Sequence, residues 1–292
     1  METAVSEITL VVFTTLAPAG IVALIVMLVE LLFSKDVERV KRLGRYLVLP
    51  LGLAVVGLIA SATHLGTPAN ALYVLTGIGR SPLSNEVGAT VAFFVFAGVY
   101  WIYSFGNRPL NAAGKAWIGV TIASALVCLW FISTAYTVAS IPTWSLPQAQ
   151  ATLWLDALSS GPVVALFCML CAKALPSKRK IIALVALAVV AAVVNLIVLF
   201  FEYESLAFIQ TTATAALGLI PAYEVIMLIF SLFEVLGCAG CWFSLLRDGA
   251  LEKAISRSPQ SMVVMALAAL SVCLASFAVR FCFYSMYMTL GV

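Results

Sequence analysis

The stretch Ile8–Phe33, ITLVVFTTLAPAGIVALIVMLVELLF, runs directly into Ser34–Arg45, SKDVERVKRLGR. The first segment exceeds the about 20 apolar residues that an α-helix needs to cross a hydrocarbon core roughly 30 Å thick. The second packs Lys35, Arg39, Lys41, Arg42 and Arg45 into one short loop. An apolar span followed by a basic loop sets the pattern for the whole sequence. Glu2 and Glu7 precede the span where a secretory signal would carry Lys or Arg, and its apolar run is longer than a signal core, so it reads as a retained helix.

Seven more apolar windows follow, at 46–63, 86–105, 116–139, 152–174, 181–201, 223–246 and 262–288. The fold class this predicts is all-α, a polytopic integral membrane protein of about eight transmembrane helices forming a single transmembrane domain. Composition agrees. Of 292 residues, 63% are hydrophobic and 10% charged, and the mean hydropathy is +1.11. A soluble domain holds about 45–50% apolar and about 25% charged residues, so this composition could not clothe a water-facing surface.

The basic residues set the topology. Loop 34–45 is joined by Arg108 and Lys115, by Lys173, Lys178, Arg179 and Lys180, and by Arg247, Lys253 and Arg257, so 14 of the 16 Lys and Arg fall on one face. The positive-inside rule makes that face cytoplasmic. Both termini are then expected outside, in the periplasm of a bacterial inner membrane. Loop placement of the cations also removes any reason to read the net charge of +3 as nucleic-acid binding.

Two outward segments, 64–85 and 202–222, are long enough to carry function. The first opens with the one histidine of the sequence, His64, in Ser61-Ala62-Thr63-His64-Leu65-Gly66-Thr67-Pro68, where Gly and Pro end a helix. It closes with Ser81-Pro82-Leu83-Ser84-Asn85-Glu86. That stretch reads as a helix start, with Ser and Asn as caps and the acid at the positive end of the dipole. A lone histidine at a membrane edge is ordinarily an interfacial hydrogen-bonding residue, and the dipole alone would explain Glu86. Together they bracket one loop at the edge of the hydrocarbon with an imidazole and a carboxylate. Quinol oxidation needs that pairing, because two hydroxyls must lose protons as electrons leave.

Ala60-Ser61-Ala62-Thr63-His64-Leu65-Gly66-Thr67-Pro68-Ala69-Asn70-Ala71, followed by Leu83-Ser84-Asn85-Glu86, resembles the DmsC family, the membrane anchors of dimethyl sulfoxide reductase-type molybdoenzymes. The family pattern is Ala-Ser-x-x-His-Leu-Gly-Ser-Pro-x-x-Ala, a spacer, then Leu-Ser-Asn-Glu. The resemblance implies an anaerobic respiratory subunit that oxidises menaquinol. Electrons would pass to an iron–sulfur subunit on the outward face and then to a molybdopterin subunit, with the clusters and molybdopterin held by those partners alone. It assigns His64 and Glu86 to the quinol chemistry, with Gly66, Pro68, Arg80, Ser84 and Asn85 around the ring. One departure is Gly77, near which family members carry an Arg; either Arg80 supplies that charge from a shifted position or the function of that residue is absent. A single histidine cannot supply both axial ligands of a bis-histidine haem, so no haem is expected.

Other residues carry weaker readings. The pairs Cys168/Cys171 and Cys238/Cys241 have cluster spacing but lie within apolar spans, where Cys packs as a small hydrophobe; no metal site is expected. Glu234 lies mid-span, with Asn195 and Arg280 as its candidate partners. Glu30, Asp156 and Glu224 read as solvated near span ends, and Trp101, Trp117, Trp144, Trp154 and Tyr223 as interfacial anchors. Two alternatives compete with the leading reading. One is an NrfD/PsrC-type quinone-reactive subunit, which the His-Leu-Gly-Thr-Pro and Leu-Ser-Asn-Glu pairing opposes. The other is a secondary transporter or proton channel using Glu234 and Arg280, which predicts paired Gly/Pro helix breaks that the sequence lacks.

Overall fold

The computed structural model describes residues 2–63, 68–106, 110–210, 215–220, 222–247, 249, 251 and 258–289. After a short helix at Glu2–Ser6, the main helices are α1 (Ile8–Phe33), α2 (Val37–Tyr46), α3 (Val48–Thr63), α4 (Pro82–Tyr103), α5 (Ala112–Thr134), α6 (Pro147–Cys171), α7 (Lys178–Leu206), α8 (Tyr223–Cys241) and α9 (Pro259–Ser285). Taking α2 with α3, and α8 with the π-helical turn Trp242–Leu246, the described residues form eight helices long and apolar enough to cross a membrane. The first span matches its expected bounds. Most others begin three to five residues earlier than the hydropathy windows, because Pro82, Pro147 and Pro259 open α4, α6 and α9. A first-turn proline loses no helical hydrogen bond and has its φ already set.

The basic segment after α1 is not a loop. Asp36 accepts from the Glu38 amide at 3.0 Å and caps α2, whose charged residues form one face and whose Leu43 and Gly44 are buried. Helical bonding continues through Leu47 into α3. Pro50, which has no amide to offer the Tyr46 carbonyl, marks the junction.

Helices α1 and α6 are the inner members, most of their apolar length being covered by protein, whereas the other spans turn much of theirs outward. Small residues permit the closest crossings. A Cβ on Gly20 would run into the backbone of Pro50 and Ala54, and one on Gly161 into Val22. Close backbone approach through small residues is the usual currency of helix packing in lipid, where dispersion rather than the hydrophobic effect holds helices together.

Several polar residues lie elsewhere than the sequence suggests. Asp156 is buried, not solvated: its Oδ2 accepts from Arg280 Nε at 2.9 Å and its Oδ1 from Asn195 Nδ2 at 2.6 Å. Arg280 also donates to Thr152 Oγ1 at 2.5 Å. Arg280 is thus bonded to Asp156, while Glu234 accepts from Ser159 Oγ at 2.8 Å. The expected Glu234–Arg280 and Glu234–Asn195 pairings are replaced because Asp156 faces α7 and α9 from the inner helix α6. Glu30 is buried as well, accepting from Arg39 at 2.8 Å and from Lys180 at 2.5 Å. Glu224 is exposed, as expected.

Two expected interfacial anchors are instead interior. Trp144 stacks on Phe283 with ring centroids 5.2 Å apart and donates to its carbonyl. Tyr223 donates to Glu202 Oε2 at 2.8 Å. Each aromatic faces its own neighbouring helix, where its polar atom finds a partner.

Removing one member of a buried ion pair strands the other charge. Asp156→Ala is expected to cost about 3–5 kcal/mol, read as a fall in the thermal unfolding midpoint of the detergent-solubilised protein. Asp156→Asn combined with Arg280→Met removes both charges and should cost less than the single substitution. A double variant as unstable as the sum of the singles would contradict this pairing.

Candidate functional site

The corner between α3 and α4 carries the His-Leu-Gly-Thr-Pro and Leu-Ser-Asn-Glu stretches. Helix α3 ends at Thr63, whose hydroxyl donates to the Ala60 carbonyl at 2.6 Å. His64 and Gly66 lie outside the described residues. Pro68 opens a 3-10 segment, Pro68–Gly77, which leads to a tight turn before α4. In that turn the Arg80 and Ser81 amides both donate to the Gly77 carbonyl, at 2.9 and 3.0 Å.

Asn85 holds the turn in place. Its Oδ1 accepts from the Gly79 amide at 2.6 Å, and Gly79 has φ +84°, a conformation that favours glycine. The Ile78 side chain packs so closely on Gly88 that a Cβ there would collide with it. Ser84 is buried against Gly77, and a Cβ on Gly77 would run into the Ser84 hydroxyl. The position where family members carry an Arg is therefore closed to side chains in this turn. Arg80 is exposed, and its side chain makes no hydrogen bond to a described residue.

The helix-start reading of Glu86 needs revision. Because α4 begins at Pro82 and Ser81 makes no side-chain cap bond, Glu86 lies in the second turn, past the reach of the four unpaired amides. It points inward and is 3% exposed. Among the described residues its Oε2 is buried without a hydrogen-bond partner, as is Glu234 Oε2. Buried polar atoms are nearly always paired, so an orphaned carboxylate oxygen marks a place where a further group belongs. One turn deeper on the same face, Thr90 contacts Cys128 of α5, Oγ1 to Sγ at 3.4 Å.

Behind Glu86 the sequence reading missed a wall of hydroxyls. Tyr136, just beyond α5, and Tyr284, at the end of α9, are within electrostatic range of the Glu86 carboxylate. Their rings meet edge to face at 5.6 Å. With Thr14, Ser133 and Arg280 they line a cavity of about 10 Å³, roughly the room of one water molecule. Nothing in the linear spacing joins residues 14, 86, 136 and 284. The only available signal was two tyrosines at the outward ends of apolar runs.

Of the expected site residues, the structure brings Ser84, Asn85 and Glu86 to one corner with the backbone of Pro68, and leaves Arg80 at its rim. Asn85 is a latch for the turn. Among the described residues, no three His, Cys, Asp or Glu side chains gather as a metal site requires. Cys168 and Cys241 are buried within their helices.

Loss of the latch bond in Asn85→Ala is expected to cost about 1 kcal/mol, seen as faster amide hydrogen exchange over residues 77–81. Gly79→Ala strains the same turn and should raise exchange there as well. Unchanged protection in both variants would remove Asn85 from this role.

Similarity to known proteins extends over the whole sequence. Residues 1–286 match the family model described as DMSO reductase anchor subunit (DmsC). The protein is 31% identical over 289 residues to the anaerobic dimethyl sulfoxide reductase subunit YnfH of Escherichia coli (strain K12), an alignment covering 97% of this sequence and 95% of that one. It is 31% identical over 161 residues to the C subunit of the anaerobic dimethyl sulfoxide reductase of Haemophilus influenzae, covering 55% of this sequence and 58% of that one. The corresponding C subunit of Escherichia coli (strain K12) is 28% identical over 173 residues, covering 59% and 60%. A match to the family model across nearly the full length, with a relative of this identity aligned end to end, means that the protein belongs to the DMSO reductase anchor subunit family, DmsC.

Proposed function

We propose that this protein is the membrane anchor of a DMSO reductase-type molybdopterin oxidoreductase in a bacterial inner membrane, and that it oxidises menaquinol at the corner between α3 and α4. The observation that carries this reading is Glu86: a buried carboxyl with an unpartnered oxygen, at the base of a motif loop that begins with His64. Family membership supports the anchor role.

Oxidation of one quinol releases two electrons and two protons, and the protein's own residues are suited to the protons. His64 takes one hydroxyl proton, its imidazole titrating in the physiological range. Glu86 receives the other at its unpartnered oxygen. Leu83 and Ile78 are exposed apolar side chains at the same corner, which suits a ring arriving from the lipid. The Asn85 latch and the Ser84–Gly77 contact fix the turn before α4, and with it the start of the helix that carries Glu86.

The electrons have no haem to travel through in this reading and pass directly to an iron–sulfur subunit docked over His64. That arrangement needs the corner to face outward, with the basic face cytoplasmic and both termini periplasmic. A periplasm-dependent reporter enzyme fused to the C-terminus is expected to be active, and one fused within 247–259 inactive.

Replacing His64 with Ala or Glu86 with Gln should lower quinol-dependent turnover by at least about 100-fold, the lower end of what a general acid or base contributes. Reduction driven by a soluble dye that feeds the catalytic subunit directly should be unaffected. Full quinol activity in a normally assembled His64 variant would sink the mechanism.

A further inference from the structure

At the basic end of the bundle, away from the Glu86 corner, α2 is clamped against the end of α4. The Trp101 indole donates to the Arg45 carbonyl at 3.0 Å, and Gly44 lies so near Ser104 that a Cβ on it would clash. Beside the crossing lies a half-open cavity of about 540 Å³, whose polar lining comes from Glu38, Lys41, Tyr100, Tyr103 and Ser104. That volume is typical of ligand sites.

Three features indicate what the cavity takes. Tyr100 is 2% exposed and lines the space, yet its hydroxyl makes no hydrogen bond to a described residue. Lys41 forms no ion pair with a described residue, even with Glu38 one turn away. Lys41 and Glu38 are the charged residues that line the cavity, and Arg39, Arg42 and Arg45 on the same helix leave α2 with more cations than acids. An anion is favoured here, and Glu38 at the rim disfavours a second negative charge.

Tyr103 belongs equally to a second, apolar groove of about 200 Å³ with Val99, Ala113, Gly114 and Trp117. Val99 is one helical turn inward from Tyr103, so this groove lies deeper along α4, with Tyr103 lining both spaces. Asn111 fixes this junction, accepting from the Tyr103 hydroxyl at 3.4 Å and from the Gly114 amide at 2.8 Å. A polar chamber beside a basic helix, with an apolar groove on the other side of Tyr103, matches an amphiphile with a phosphodiester head and an acyl tail. Basic pockets between helices at the cytoplasmic surface are a recognised form of such sites.

We infer that the crossing of α2, α4 and α5 binds one anionic glycerophospholipid, its phosphate at Lys41 and Tyr100 and one acyl tail along Val99 and Trp117. Phosphatidylglycerol supplies that chemistry. The full-length protein, extracted in mild detergent, delipidated and titrated with phosphatidylglycerol, should take up one lipid per protein by native mass spectrometry. Lys41→Ala should weaken uptake about fivefold, the effect of one cation near a lipid surface. Val99→Trp fills the groove from its lipid-exposed side, without touching the core, and should also reduce uptake. Three results would each overturn the inference: phosphatidylethanolamine bound as tightly, displacement by millimolar inorganic phosphate, or unchanged uptake in a folded Lys41→Ala or Val99→Trp variant.

Discussion

Hydrocarbon offers no hydrogen bonds, so each polar group carried into it must find its partner within the protein. The bundle is organised around that demand. Asp156, on an inner helix, is met by Arg280 and Asn195, and Thr152 holds the same guanidinium, so one acid draws α6, α7 and α9 to a common point. Glu202 is met by Tyr223, and Glu234 by Ser159. Against this background Glu86 stands apart: of the buried carboxyls described, it alone makes no hydrogen bond to a described residue. Glu234 also keeps one unpartnered oxygen, but its other oxygen is held by Ser159.

The same demand explains why the corner is built from backbone and small side chains. A turn at the membrane edge cannot leave amides and carbonyls idle. Gly77 therefore accepts from two amides of the turn, and Asn85 reaches back to a third. Glycine at 77 and 88 lets the end of the 3-10 segment and the turn after it lie close on α4, and Gly79 supplies the positive φ of that turn. An arginine near position 77 would need a different turn, which is how this sequence departs from its family's pattern without disturbing Ser84, Asn85 or Glu86.

The spans were legible because bilayer thickness sets their length and basic loops punctuate them. Their starts were less so, since hydropathy windows discount the polar first turn that Pro82 or Pro147 initiates. Helix α2 escaped because its charges suggested a loop, although Asp36 at its start is an ordinary cap. Partner choice among buried charges was beyond the sequence. Asp156 lies only five positions into its apolar window and reads as solvated, but the helix begins five residues earlier, at Pro147, and carries it more than one turn deeper. Glu86 was legible as a candidate from its motif, while Tyr136 and Tyr284 were not, being brought to it only by the packing of α5 and α9.

The pairings also impose an order on biosynthesis. Glu30 meets Arg39 nine residues later, within the same emerging hairpin, but Lys180 reaches it only after five spans have been made. Asp156 waits longer for its cation, because Arg280 belongs to the last helix. Until α9 enters the membrane, α6 holds a carboxyl with no positive partner at its depth. A protein truncated before α9 would retain seven apolar spans and still leave that acid uncompensated. Such a fragment is a natural substrate for membrane quality control, so completion of the final helix is the step that commits the subunit to its assembled form.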